Sequence, residues 1–503
     1  MNLFRHILSA ALLVGASAVA CAAVVEATPG SLASQVSPDE TSLTVTGSID
    51  ASDFDVIRNL RNLHTLDLSG ATVAAYSGDR IESGIMTSGA DILPEAALLS
   101  VPATTVKLPA GIVAIQAGAL GNIGAREIEI PSTVKTIGAG AFSSLPALEK
   151  ITVPASVTSL GDRMFKDCPM LSEVTILADI TELPASTFLN CKALTDVQLP
   201  EGLKSIGESA FAGCVALKSI EMPASLVSIG DLAFAGAGLE SLDLSNHSGL
   251  AAIGEWAFSN CNDLLDVAVG SSVVSMGRGA FALNSQLASE LTAMAGNVKS
   301  LPSHFVYGST LTGVNHLENL ALDSIGDYAL SGNLATAVTL PATVSQIGSG
   351  AMERMPNLTS LDASSIKAVP SLGKDVWAET DQPAAVCYVS PELFDTYSNT
   401  LPQWREFQLQ KKDPSAVDDT YITDVADGAA VRGVFDGMVL RLECDTEIRQ
   451  VQLYDVSGRV LTIHRAAPAR TMAIDTAPFD SRVFLVRLLL GDSSTPVLKL
   501  VRP

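Results

Sequence analysis

Phenylalanine recurs at Phe142, Phe165, Phe188, Phe211, Phe234, Phe258, Phe281 and Phe305, at intervals of 23, 23, 23, 23, 24, 23 and 24 residues. A fixed period of that length marks a solenoid, because each unit is too short to bury its own apolar face and gains a core only by stacking on its neighbours. The product is a long surface repeated rung by rung. Such surfaces bind more often than they catalyse.

The unit from Val197 to Leu217 shows what accompanies the phenylalanine: Val197, Leu199, Pro200, Leu203, Ile206, Gly207, Ala210, Phe211, Cys214 and Leu217. Val197 and Leu199 alternate with Asp196 and Gln198, the period of a half-buried strand. Pro200 ends that strand, since it has no N–H for a ladder. Phe211, Cys214 and Leu217 are spaced by three, as one face of a single helical or 3₁₀ turn would be. The same template fits Ile151, Val153, Pro154, Leu160, Gly161, Phe165 and Cys168, and again Ile253, Gly254, Phe258, Cys261 and Leu264. The five-residue step from Ile or Leu to the large apolar slot extends the series to Leu98 and Leu120 before it and to Leu330, Met352 and Trp377 after it. That makes about thirteen rungs, well beyond the three or so a stable stack needs.

The pattern of apolar-x-apolar-Pro, Ile-Gly, x-x-Ala-Phe, x-x-Cys and x-x-Leu resembles the BspA-like leucine-rich repeats of bacterial surface proteins. Leu43, Val45, Gly47 and Ile49, followed by Phe54, Ile57, Leu60, Leu63, Leu66, Asp67, Leu68, Ser69 and Gly70, resemble the strand and first ordinary leucine-rich unit that open such proteins. Tyr388, Val389, Pro391, Tyr397, Trp404 and Phe407 resemble the closing cap. The resemblance covers roughly residues 40 to 410. It implies a cell-surface or secreted interaction protein of Bacteroidetes type, with adhesion to host or microbial macromolecules as the expected role.

The fold expected is therefore a leucine-rich repeat solenoid followed by a small antiparallel β-sandwich of immunoglobulin-like kind. Its segments are a signal peptide over 1–23, an N-terminal cap with the first leucine-rich unit over 24–92, BspA-like repeats over 93–378, a C-terminal cap over 379–412, a linker over 413–430 and the sandwich over 431–503. Arg5, the apolar stretch from Ile7 to Ala20 and the small residues Ala18 and Ala20 make the secretory signal. Two processing routes stay open: ordinary cleavage near Ala20 or Ala23, or lipoprotein cleavage with acylation of Cys21. No later apolar run is long enough to span a bilayer.

In the last segment, strand-like runs at Val439–Leu442, Val451–Tyr454, Val460–Ile463, Met472–Ile474, Val483–Leu490 and Val497–Val501, with a turn at Asp455–Gly458, give six expected strands. Val451 to Val460, Val483 to Arg487 and Lys499 to Pro503 resemble the C-terminal sorting domain of the type IX secretion system. That resemblance implies a secretion machinery as partner and export across the outer membrane. A plain immunoglobulin-like β-domain is the alternative.

Net charge is −23, and residues 413–503 hold 10 of the 31 basic but only 13 of the 54 acidic residues, so the repeats carry the acid. Nucleic acid and anionic membranes both call for Lys and Arg against phosphate, and both are excluded as partners on this count. Strand alternation points the residues flanking each buried apolar side chain outward. Successive rungs then present Glu127 and Glu129, Lys150 and Thr152, Glu173 and Thr175, Asp196 and Gln198, Ser219 and Glu221, Ser241 and Asp243, and Asp266 and Ala268. On one continuous parallel sheet with strands ~4.8 Å apart, these residues form an acid and hydroxyl ladder suited to an extracellular protein or glycan, a basic peptide, or divalent cations. The competing reading is a solvated face kept soluble by charge.

Cys168, Cys191, Cys214 and Cys261 each follow the recurring phenylalanine by three, and Leu145, Ala237, Asn284 and Gly308 fill the same slot elsewhere. A residue so freely exchanged acts as a small buried hydrophobe and not as a ligand or disulfide half. The histidines His6, His64, His247, His304, His316 and His464 are scattered, and no nucleophile elbow, zinc-protease motif or phosphate loop is present. No enzyme activity, metal or cofactor is expected. A non-binding structural spacer is the rival to recognition.

Overall fold

A computed structural model of the chain describes residues 22–80, 84–287, 295–311, 314, 317–400, 402–412, 431–436, 439–455, 459–479, 483–491 and 497–501. The expected leader lies outside them apart from Ala22 and Ala23, as do Cys21, the linker over 413–430 and the turn beyond Asp455. The chain divides into two units, Met1–Lys412 and Asp413–Pro503.

The first unit opens with parallel strands Ala22–Ala27, Ser42–Ile49 and Thr65–Val73, the last paired on to Thr105–Lys107. Helix Ala51–Arg58 begins with a capping box between Asp50 and Asp53. Asp53 is buried, and its carboxylate accepts backbone N–H groups from Gly30 (2.8 Å), Leu32 (2.9 Å) and Asp50 (3.0 Å), which ties the entering loop to the helix start. Phe54 and Ile57 on this helix are fully buried and seal the end of the stack.

Most rungs beyond this point have two strand segments and a turn. The two-residue strands, from Ile92–Leu93 to Ser371–Leu372, form parallel sheets of four, five and four strands, thirteen in all, in agreement with the repeat count. Leu, Ile or Met at their second position packs in the core, and where a glycine follows it lies against the backbone of the preceding rung. At Gly207 a Cβ would stand 2.7 Å from the nitrogen of Ala185, and at Gly138 it would stand 2.6 Å from that of Ala117. The Ile-Gly pair is thus a close-approach requirement, independent of any unusual backbone angle.

The three-residue spacing expected of a helical or 3₁₀ turn is realised by a backbone that alternates two kinds of bond. Ala210, Ala212 and Cys214 donate back three residues within their own rung, while Ser209, Phe211 and Gly213 donate to Asp231 (2.9 Å), Ala233 (2.7 Å) and Ala235 (2.8 Å) on the next. Ser209 and Gly213 reach outward because both have positive φ, 55° and 73°. Equivalent positions elsewhere hold Arg163, Leu232, Trp256, His304 and Tyr328, a conformation that costs a non-glycine residue ~1–2 kcal/mol.

Phe142, Phe165, Phe188, Phe211, Phe234, Phe258 and Phe281 are fully buried and stack with centroids 5.0 to 5.7 Å apart. Each stacked pair adds ~0.5–1.5 kcal/mol beyond its buried area. Phe305 does not continue this column. Val306 takes the column place and donates to Ala329 (3.0 Å), while the carbonyl of Phe305 accepts from Phe281 (3.0 Å) as Ala280 does from Phe258, and its ring meets Phe281 edge-on. The rung is one residue longer than the phenylalanine interval implies, so the periodicity lands one place early. Trp377 closes the stack against Trp404 and Phe407, with Tyr397 against Trp404.

In the second unit the six expected runs form four of the five strands among the described residues. Val439–Tyr454 and Val460–Asp475 each join two of them, and Val431–Asp436 is an additional strand. All pairings are antiparallel, in the order Val431–Asp436, Val439–Tyr454, Val483–Leu490, Val497–Val501, with Val460–Asp475 also on Val439–Tyr454. The runs join because the polar residues between them are outward members of a continuing alternation: Leu440, Leu442, Cys444 and Ile448 are buried in turn. A register shift between Ile448 and Gln450 then moves the buried set to Val451 and Leu453.

Candidate functional site

The outward ladder is carried by strands Lys150–Val153, Glu173–Ile176 and Asp196–Gln198, which pair in parallel. Lys150 stands beside Glu173 and Glu173 beside Asp196, while Thr152, Thr175 and Gln198 form the second row. Ile151, Val174 and Val197 between them are buried, as alternation requires. Glu127 joins Lys150 through an isolated parallel bridge, and Glu129 lies outside any strand. Lys150 forms an ion pair with Glu173, which raises its ammonium above the usual value, with Glu127 and Glu149 adding to the effect.

The ladder is not one continuous sheet. Ser219 and Glu221 belong to no strand, and pairing resumes only between Ser241–Leu244 and Asp266–Val269, where Ser241 faces Asp266 and Asp243 faces Ala268. The loop length also changes at this interruption: Leu239 follows Phe234 by five residues where Leu217 follows Phe211 by six. The shortened loop runs hard against its neighbour, with Gly238 N–H donating to the Cys214 carbonyl at 3.1 Å, and a Cβ on Gly238 would overlap Val215. Lys218 spans the interruption, pairing with Glu240 (3.4 Å) and Asp263 (2.7 Å). The two segments therefore differ in charge: the first has a cation at Lys150, the second presents Asp243 and Asp266.

A device missed in the sequence recurs on this face. Leu66-Asp67-Leu68-Ser69, Leu242-Asp243-Leu244-Ser245 and Leu361-Asp362-Ala363-Ser364 each fold the aspartate onto the serine two residues on, with Oδ1 accepting from its N–H and, at 2.6 Å, from its hydroxyl. Lys107 pairs with the other oxygen of Asp67 at 2.8 Å, and with Ser69 it lowers that carboxyl to about 2. Lys412 Nζ pairs with the second oxygen of Asp362 at 2.9 Å. Asp243 is held below its ordinary range by Ser245, but Ala268 stands where Lys107 faces Asp67. The repeated Leu-Asp-x-Ser string was the available signal.

Among the described residues no group of three His, Cys, Asp or Glu side chains is arranged to hold a metal ion, and no helix is long and apolar enough to cross a membrane. The BspA type leucine-rich repeat region matches this chain in six copies, over residues 74–195, 181–312 and 299–379. The chain belongs to the BspA-type leucine-rich repeat family. No curated protein sequence matches it. Its fold is similar to that of a leucine-rich repeat protein from Bacteroides ovatus, with 20% identity, a TM-score of 0.57, and cover of 77% of this chain and 91% of that one. Similarity also extends to a leucine rich cell surface protein from Faecalibacterium prausnitzii (18% identity, TM-score 0.33, 60% and 94% covered). The pneumococcal vaccine antigen PcpA is a further match (17% identity, TM-score 0.35, 66% and 85% covered).

Within this BspA-type array the cysteine slot does more than fill space. The thiols of Cys168, Cys191, Cys214 and Cys261 donate to the carbonyls of Phe142, Phe165, Phe188 and Phe234 one rung back, at 3.1 to 3.2 Å. Asn284 and Ser309 donate to Phe258 and Phe281 in the same way, both at 3.0 Å. Ser309, not Gly308, is therefore the equivalent residue, three beyond Val306. The slot accepts a donor or a small apolar group, and the sequence reading saw only the second. All six described cysteines are free and buried, and burial pushes Cys214 and Cys261 up to about 12. The Cys214 and Cys261 thiols are protonated packing groups.

Proposed function

We propose that this BspA-type protein is an exported surface module that recognises a basic segment of an extracellular protein through its strand ladder. The in-register stacking of Glu173 on Asp196, beside the row of Thr152, Thr175 and Gln198, carries the reading, because it sets outward carboxylates and hydrogen-bonding side chains on successive rungs. The second segment, with Ser241, Asp243 and Asp266, is the more acidic partner surface. A net charge of −23 steers a cationic partner toward it. The secretory signal over 1–23 and the sorting-like C-terminal segment supply the route to the surface.

Replacing Glu127, Glu129, Glu173, Asp196, Glu221, Asp243 and Asp266 by serine tests the reading. Binding to immobilised host matrix proteins should fall at least about tenfold and lose its salt dependence, with the circular dichroism spectrum unchanged. Unchanged attachment supports the structural-spacer reading instead. For the route, a form truncated at Asp413 should accumulate in the periplasm; its arrival at the cell surface removes the sorting role.

A further inference from the structure

Aromatic residues make up only 5% of the chain, and in the rungs most of them stand in the buried column or the closing cap. Trp256, His304, Tyr307 and Tyr328 depart from this: none belongs to the buried core, and all four are half-buried at the surface of the turns. Trp256, His304 and Tyr328 occupy the positive-φ position two residues before Phe258, Val306 and Leu330, with φ of 55°, 59° and 55°. The rings are in mutual contact. Centroids lie 5.9 Å apart for Trp256 and His304, 5.0 Å for His304 and Tyr328, and 5.3 Å for His304 and Tyr307.

Two glycines make the contact possible. The rung between Trp256 and His304 holds Gly279 at the equivalent position, where a Cβ would stand 2.5 Å from Cε3 of Trp256. The indole lies across that bare turn and so reaches a histidine two rungs on. Gly350 receives the ring of Tyr328 in the same way. At the rim the exposed Arg278 places its guanidinium 5.7 Å from the Trp256 centroid and Nη2 3.5 Å from Nε2 of His304. Among the described residues no carboxylate pairs with Arg278. Burial first, and Arg278 second, hold the imidazole below its ordinary pKa, so near neutrality it is an uncharged ring.

We propose that Trp256, His304 and Tyr328, with Arg278 at the rim, form a stacking strip for a neutral glycan chain, on the turn side of the rungs and separate from the strand ladder. Three chemistries compete, and charge decides among them. A polyanion is repelled by a molecule of net charge −23. A basic peptide would bring a second cation to the ring that Arg278 already occupies. A neutral sugar chain sets its C–H faces on the electron-rich ring faces and its hydroxyls against the free guanidinium donors. The strip runs along four consecutive rungs, from Trp256 over Gly279 to His304 and Tyr328, so it suits an extended ligand.

Tryptophan emission reads this site directly, because Trp377 is 2% and Trp404 0% exposed while Trp256 is half-buried at the surface. The full chain is titrated with linear hexasaccharides of glucose, xylose and mannose, following emission and, for variants, calorimetry. At least one should shift emission to the blue and shield it from acrylamide. Trp256→Ala and Tyr328→Ala should each weaken that binding about tenfold or more, Tyr328→Phe should keep it, and the seven-serine ladder variant should bind as the parent does. Absence of any emission change, or survival of binding in both alanine variants, overturns the proposal. Protection of Trp256 by a lysine-rich peptide and by no sugar overturns the ligand class. Loss of glycan binding in the ladder variant overturns the separation of the two faces, which distinguishes this idea from the ladder reading.

Discussion

The two-residue strands recur in each of the thirteen rungs from Leu93 to Leu372, whereas the outward strand ladder is interrupted between Gln198 and Ser241. On the first side, glycine lies against backbone, the phenylalanine rings stack, and every second turn residue donates to the next rung. A one-residue change there has nowhere to go. On the second side the loop before the strand is free to shorten, as at Gly238, and the ladder is interrupted there with the stack intact. The interior register is strict and the surface register is tolerant, so the face that contacts partners can vary without unfolding the solenoid.

The sharpest way to break this contrast is to cut the column. Phe211→Ala leaves a cavity among fully buried rings and should cost ~3–5 kcal/mol, read as a fall in the urea midpoint, while Asp196→Ser on the ladder should stay within ~0.5 kcal/mol. Equal effects would erase the distinction. Next in size, Gly207→Ala places a Cβ 2.7 Å from Ala185 backbone and should cost ~1–3 kcal/mol. Gly111→Ala, whose Cβ meets nothing within 4 Å, should be neutral or slightly stabilising.

The smallest effect separates an aspartate with a lysine opposite it from one without. The folded Asp67 carboxyl sits at about 2, against an ordinary 3.8, because of Lys107 and Ser69. A depressed folded pKa contributes stability that is fully present above the unfolded value and is lost as pH falls through the folded one. Asp67→Asn should therefore flatten the decline of stability between pH 3.8 and 2, measured by urea unfolding at fixed pH. Asp243→Asn, with no lysine opposite, should flatten it less.

Much of this was legible because the repeat exposes its own register. Once Phe211 marks a buried place, strand alternation follows for Asp196, Val197 and Gln198 from covalent geometry alone. What misled was also the period: Phe305 carries the right side chain one residue early, and only the hydrogen bonds of Val306 reveal the slot. The cysteine slot was misread for a related reason. Exchange among Cys, Ala, Leu and Asn looks apolar in a string of letters, yet Asn284 and Ser309 make the donor role plain once the Phe258 and Phe281 carbonyls are seen beside them.

The sequence by itself determined the solenoid, the number of rungs, the buried column, the alternating outward residues and the change of architecture after the repeats. These depend on short-range spacing, which sets which side chains share a face. Tertiary structure alone decided where the ladder breaks, which aspartate has a lysine opposite it, and that Trp256 lies over Gly279 to meet His304. Those outcomes depend on contacts between rungs, where a single residue of loop length, or one missing Cβ, changes what lies within reach.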